Sequence, residues 1–219
     1  MKKFIAIFAA FAIVTAFLSS FNFPLKLTKS QFKFKNTTSN QYHTGDLIFQ
    51  TNTAGQGMAI QIATKSKITH VGMICVKNGE NYVYEANGPV SLTPLKQFIS
   101  HGSGNHFTVK RLKNESVLND SVRSKMITIA ETYIDKPYDI WFGWNDDYIY
   151  CSELVWKIYK NTSGIDIGKL QKLKEFDLTN PIVKSVVTER YGTNIPYDET
   201  VISPAAIFNY PDLIILETK

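Results

Sequence analysis

The chain has 219 residues, of which 44% are hydrophobic, 13% aromatic and 20% charged. That composition supports one sizeable core and excludes wholesale disorder. The formal net charge is +5, and Lys2 and Lys3 supply two of those charges. Without a long Lys/Arg run, so mild an excess argues against nucleic acid as a partner.

Met1-Lys2-Lys3, an apolar run from Phe4 to Leu18 and then Ser19-Ser20 make the pattern of an export signal. The run is shorter than the roughly 20 residues a membrane-spanning helix needs. A cut after Ser20 would leave Leu18 where a small residue is preferred, so residues 1–20 read either as a signal peptide or as an N-terminal anchor. The expected location is the periplasm, the cell envelope or the medium, with any membrane association made through this segment. Residues 21–42 are polar and read as a linker, which leaves 43–219 as the folded domain.

Within that domain, Gly45-Asp46-Leu47-Ile48-Phe49 predicts a first short strand, and residues 57–64 a short helix. Ile68 to Val76 reads as a buried strand, Asn78-Gly79 as a two-residue turn, and Asn81 to Ala86 as the return strand of a hairpin. Another strand is expected over Phe107 to Leu112. A helix follows from Ser121, with Val122, Met126, Ile129, Ala130 and Tyr133 on one face, and Lys136-Pro137 ends it. Leu154, Val155 and Ile158 form the apolar stripe of a helix that begins near Cys151 and closes at Asn161 to Gly164. Leu178 to Arg190 reads as helical, Ser203-Pro204 as a helix start, and Leu213 to Leu216 as a last strand. Strands gathered early and helices late indicate an α+β domain.

The hairpin brings two chemically capable side chains together. With Asn78 and Gly79 as the turn, Gly72 faces Glu85 and His70 faces Asn87. His70, Gly72, Glu85 and Asn87 then share one side of the sheet. A carboxylate diagonal to an imidazole can fix its tautomer and stabilise the imidazolium. A thiol at the other ring nitrogen would complete a nucleophile–base–orienter set. Cys151 is the expected supplier, because a cysteine opening a helix lies in the positive end of the dipole among unpaired N–H groups. Cys75, five residues beyond His70, falls on the opposite face and reads as a small core residue. A Cys75–Cys151 disulfide is the competing reading, since these are the two cysteines of the chain. His43, His101 and His106 are assigned to surface and loops, with no metal site among them. Asp146-Asp147 reads as a cap for the approaching helix.

Five segments resemble the permuted papain-like amidases of the YaeF/YiiX type, relatives of NlpC-type cell-wall hydrolases. They are Gly45-Asp46-Leu47-Ile48-Phe49, Thr69-His70-Val71-Gly72-Met73, Tyr84-Glu85-Ala86, Lys136-Pro137-Tyr138-Asp139 and Tyr150-Cys151-Ser152-Glu153-Leu154-Val155. The histidine strand precedes the cysteine helix, which is the permuted order, and the likeness spans roughly residues 42–216. The resemblance implies a small, mainly antiparallel sheet packed against the cysteine helix. It implies Cys151 as nucleophile, His70 as general base, Glu85 as orienting acid and Tyr138 as a residue of the substrate cleft. The implied reaction is amide hydrolysis through a thioester, with no metal and no organic cofactor. The expected partner is a small peptide or acyl-amide substrate, with cell-wall peptides the expected source. One alternative is a lipid or acyl-group thioesterase or acyltransferase using the same Cys-His-Glu site. A second is a non-catalytic envelope binding module with the two cysteines bridged.

Overall fold

Asn78 and Gly79 both take positive φ, 54° and 79°, as a two-residue type I′ turn demands. Lys77 therefore opposes Glu80 and Met73 opposes Tyr84, which is the register expected from the sequence. The structure is a computed structural model that describes residues 41–219. The segments read as signal or anchor (1–20) and linker (21–42) lie outside the described residues, apart from Gln41 and Tyr42. Tyr42 already belongs to the fold, with its ring buried and its hydroxyl donating to Glu217.

Strand β1 (Leu47–Gln50) leads into helix α1 (Gly57–Thr64) and then into the hairpin of β2 (His70–Lys77) and β3 (Glu80–Ala86). Strand β4 (Val90–Pro94), helix α2 (Leu95–His101), strand β5 (Phe107–Leu112) and helix α3 (Asp120–Glu131) follow. A long connection then reaches helix α4 (Cys151–Ser163) and strand β6 (Gln171–Lys172). The chain ends with α5 (Pro181–Tyr191), β7 (Thr200–Val201), α6 (Pro204–Phe208) and β8 (Leu213–Thr218). Six strands form an antiparallel sheet in the order β4-β3-β2-β1-β5-β8, while β6 and β7 make a separate ribbon. The class is α+β, as expected. The sequence pattern does not announce β4 or α2. Pro94 both ends the strand and caps the helix, and two such short elements carry too few periods to stand out.

Strand alternation gives the sheet two apolar faces. Leu47, Phe49, Val71, Met73, Cys75 and Tyr84 join one core cluster, in which α4 buries Leu154, Val155, Ile158 and Tyr159. Ile48, Ile74 and Val83 join the other, against Phe98 of α2. Cys75 therefore shares its face with the cysteine helix, and sheet alternation is not what separates the two thiols. They are separated along the strand, because Cys75 lies five residues from His70, about 16 Å at about 3.3 Å per residue. Both cysteines are free, so the bridged alternative is set aside.

The Gly-Asp piece at the start of β1 anchors this sheet. Gly45 has a φ of 99°, open to glycine at little cost, and its carbonyl accepts from the Tyr159 hydroxyl of α4. Asp46 is 2% exposed. It takes both arms of Arg111 from β5, Nε to Oδ1 and Nη2 to Oδ2 at 2.7 Å each, and the His43 amide at 2.8 Å. Removing one partner of a buried pair leaves an uncompensated charge. Arg111→Ala is expected to lower stability by about 3–5 kcal/mol, with Arg111→Lys recovering only part because it lacks the fork. Lys113→Ala, which breaks an exposed pair with Asp212, should change little. Urea-unfolding midpoints check all three, and equal losses for Arg111→Ala and Lys113→Ala would refute the anchor.

Candidate active site

His70 is the first residue of β2, and Glu85 is the next to last of β3. The imidazole Nε2 lies 2.7 Å from Glu85 Oε2, with both side chains almost wholly buried. The His70 ring also stacks on Phe98 of α2 at a centroid distance of 5.4 Å. Gly72 makes this packing possible. A Cβ there would lie 2.3 Å from the Val83 side chain, 3.0 Å from the Tyr84 carbonyl oxygen and 3.2 Å from the Phe98 ring. The space that Gly72 leaves is taken up by Val83 and Phe98, and Phe98 is the ring on which the imidazole stacks. Its Nδ1 is left for another partner.

Cys151 opens α4. The first intrahelical hydrogen bond runs from the Leu154 amide to the Tyr150 carbonyl at 2.9 Å. The amides of Cys151, Ser152 and Glu153 thus lack intrahelical acceptors, the condition for an anion-stabilising helix start. The helix start is clamped to the strand end before α6. Ser152 Oγ donates to the Ile202 carbonyl at 2.8 Å, and the Ile202 amide donates to Tyr150 Oη at 3.1 Å. The cap expected from Asp146-Asp147 is not the one formed. Asp146 instead accepts from Lys157 Nζ at 2.7 Å, while Glu153 accepts from the Tyr150 amide at 3.4 Å. Lys157, one turn on, also lies 2.7 Å from Glu153. Burial pushes Glu153 up to about 7, although Lys157 works against the rise.

His70 and Cys151 meet because each is the first residue of its element. Helix α4 packs on one face of the sheet and His70 stacks toward the other, so the contact forms at the sheet's end. The thiol lies within hydrogen-bonding reach of the ring. The three side chains proposed from the sequence are thus joined in series, sulfur to imidazole to carboxylate. Burial favours the neutral ring, but the charges and hydrogen bonds of Cys151 and Glu85 outweigh it and raise His70 to about 10. Burial likewise opposes the Glu85 carboxylate, yet the hydrogen bond and charge of His70, with Thr93 and His101, hold it below the usual range. Burial pushes the Cys75 thiol up.

From Cys151 a largely apolar cavity runs between α1 and α5, past Ala59, Val183 and Val187. Tyr138 lines it, as the sequence implied, and so do Phe142 and Tyr150. Trp144 instead packs on Trp156, and Trp141 and Tyr148 are exposed. Of the aromatic residues before Cys151, then, some line the cavity and some serve packing. The sequence reading missed Gln56 and Arg190, which also line the cavity. Gln56 Nε2 donates to Tyr138 Oη at 2.6 Å, and Arg190 Nη2 donates to Gln56 Oε1 at 2.7 Å. Nothing in the sequence marks them, since they meet across 134 positions and are ordinary surface residue types. His43 pairs with Glu115 near the surface, and His101 and His106 are exposed.

Residues 41–216 match the family model described as "permuted papain-like amidase enzyme, YaeF/YiiX, C92 family". An uncharacterized protein YiiX of Escherichia coli (strain K12) is 49% identical over 173 residues, covering 79% of this chain and 85% of the relative. A crystal structure described as that of the metalloprotein yiiX from Escherichia coli O157:H7 is also similar. It superposes with a TM-score of 0.78 at 48% identity, covering 82% of this chain and 98% of the other.

The charge pattern at the site carries a pH signature. His70 has a folded pKa raised above its ordinary 6.5, so its contribution to stability is fully present below 6.5. It is lost as pH rises through about 10. Glu85, held below 4.5, contributes above that value and is lost as pH falls through its folded pKa. Relative to His70→Gln, the wild type should keep its stability advantage near pH 6 and lose it progressively toward pH 10. Urea midpoints at successive pH values measure this. An advantage that grows with pH over the same window would refute the assignment.

Proposed function

Because the chain belongs to the family of permuted papain-like amidases, we propose that it is a cysteine amidase or peptidase in which Cys151 is the nucleophile, His70 the general base and Glu85 the orienting acid. The observation that carries the proposal is the buried series Cys151–His70–Glu85 at the mouth of a cavity. The Cys151 thiolate attacks the amide carbonyl, and the Cys151 backbone N–H at the helix start donates a hydrogen bond to the developing oxyanion. Imidazolium at His70 gives its proton to the departing amine, leaving a thioester. Water activated by His70 then hydrolyses the thioester and regenerates the thiolate. Glu85 keeps the ring in the tautomer that faces sulfur and stabilises its charged form.

The proposed substrate is a small peptide or acyl amide. An exported protein, as the segment from Met1 to Ser20 suggests, would meet cell-wall peptides. No helix among the described residues is long and apolar enough to cross a membrane. Any membrane association is therefore proposed for the N-terminal segment. The apolar cavity favours a second reading, in which the group carried by Cys151 is an apolar acyl chain and the acceptor is water, an amine or a lipid alcohol.

The Escherichia coli neighbour is described as a metalloprotein. In this chain His70 Nε2 is held by Glu85 at 2.7 Å, and the ring lies beside Cys151. Among the described residues no group of three or more His, Cys, Asp and Glu could hold an ion. The residues do not fit a resident metal, and no step above runs through one.

Labelling with an iodoacetamide probe, combined with turnover of cell-wall peptides and of N-acyl amino acids, tests the proposal. Cys151→Ala should abolish both, and His70→Ala should cut kcat/KM by roughly 10³-fold or more. Retained turnover in Cys151→Ala would exclude the mechanism. Mass spectrometry of the trapped acyl-enzyme separates the peptide reading from the acyl-chain one.

A further inference from the structure

We propose that Gln56 and Arg190 are positioning residues that aim the hydroxyl proton of Tyr138 into the site at Cys151. The inference rests on the nucleophile reading above, and it follows from which atoms can donate.

Arg190 is donor-only. Its Nη2 lies 2.7 Å from one terminal atom of the Gln56 amide, so that atom must be the oxygen and the other must be the NH2 group. The NH2 group lies 2.6 Å from Tyr138 Oη, so Gln56 donates and the phenol oxygen accepts. A phenol has a single proton. With its oxygen already accepting from Gln56, that proton is left for a different acceptor, and Tyr138 lines the same cavity as Cys151. Burial and the nearby negative charge of Cys151 keep the phenol protonated, hence a donor. Arg190 is itself steadied over the Phe142 ring, 5.3 Å from its centroid. The backbone next to Gln56 packs closely on the preceding loop, since a Cβ at Gly57 would fall 1.7 Å from the Asn52 carbonyl oxygen. The chain of donation therefore runs in one direction, from guanidinium to amide to phenol to the carbonyl oxygen of a bound substrate. That oxygen gains negative charge when sulfur attacks, and a donor aimed at it lowers the barrier.

Gln56→Glu is the decisive variant. It keeps the size of the side chain and pairs with Arg190 at least as well, but a carboxylate can only accept, and it takes the Tyr138 proton for itself. A purely structural role would leave this variant unimpaired. Two rates separate the possibilities. Release of p-nitrophenol from p-nitrophenyl butyrate passes through an oxyanion, whereas alkylation of Cys151 by iodoacetamide does not. Acylation should fall about 10²-fold in Gln56→Glu and in Tyr138→Phe, the usual cost of one such donor. The double variant should fall no further than Tyr138→Phe alone. Alkylation should stay within about twofold of wild type in every case. Wild-type acylation in Gln56→Glu, additive losses in the double variant, or a parallel fall in alkylation would each overturn the relay. A wild type that releases no p-nitrophenol through Cys151 overturns the nucleophile reading itself, and the relay with it.

Discussion

The imidazole of His70 is gripped from two sides in a place that water barely reaches. Glu85 holds Nε2 at 2.7 Å, and the thiol of Cys151 also hydrogen-bonds to the ring. Desolvation alone would strip the ring of its proton, because an unpaired buried cation is costly. The hydrogen bonds and charge interactions of Cys151 and Glu85 reverse that preference. The site therefore depends on the hairpin for the carboxylate, on α2 for the stacking ring, and on α4 for the sulfur. Each of these contacts excludes solvent from the others.

The surrounding packing maintains this arrangement. Gly72 leaves room for Val83 and Phe98, and Phe98 supplies the ring against which the imidazole stacks. Tyr150 and Ser152 tie the start of α4 to the backbone of Ile202. The positive end of that helix is thereby kept at the sheet's end. Asp46 and Arg111 couple β1 to β5, and Tyr159 couples α4 to Gly45. The Gly-Asp piece thus has a mechanical role in this chain.

Much of this was legible in the sequence because local rules govern it. Asn78-Gly79 fixes the hairpin register, and period-two alternation then puts His70 and Glu85 on one face. The stripe of Leu154, Val155 and Ile158 marks α4, and Gly164 in the left-handed region ends it. Other features depend on contacts that no local pattern encodes. Cys75 was correctly kept from Cys151, yet for the wrong reason, since strand alternation says nothing about which face a distant helix will cover. Asp146 reads as a cap by residue type, but Lys157, in the second turn of α4, claims it. Gln56 and Arg190 were invisible because a polar side chain acquires its role only when a cavity forms around it.

The order of the segments along the chain has a consequence for how the protein matures. The hairpin bearing His70 and Glu85 closes over a two-residue turn, the kind of local event that completes within microseconds. The contact with Cys151 must wait for a helix 81 positions downstream, a loop closure of far greater entropic cost. Until that docking step, the Cys151 sulfur has no imidazole beside it. The series of sulfur, imidazole and carboxylate is therefore complete only once the last tertiary contacts form.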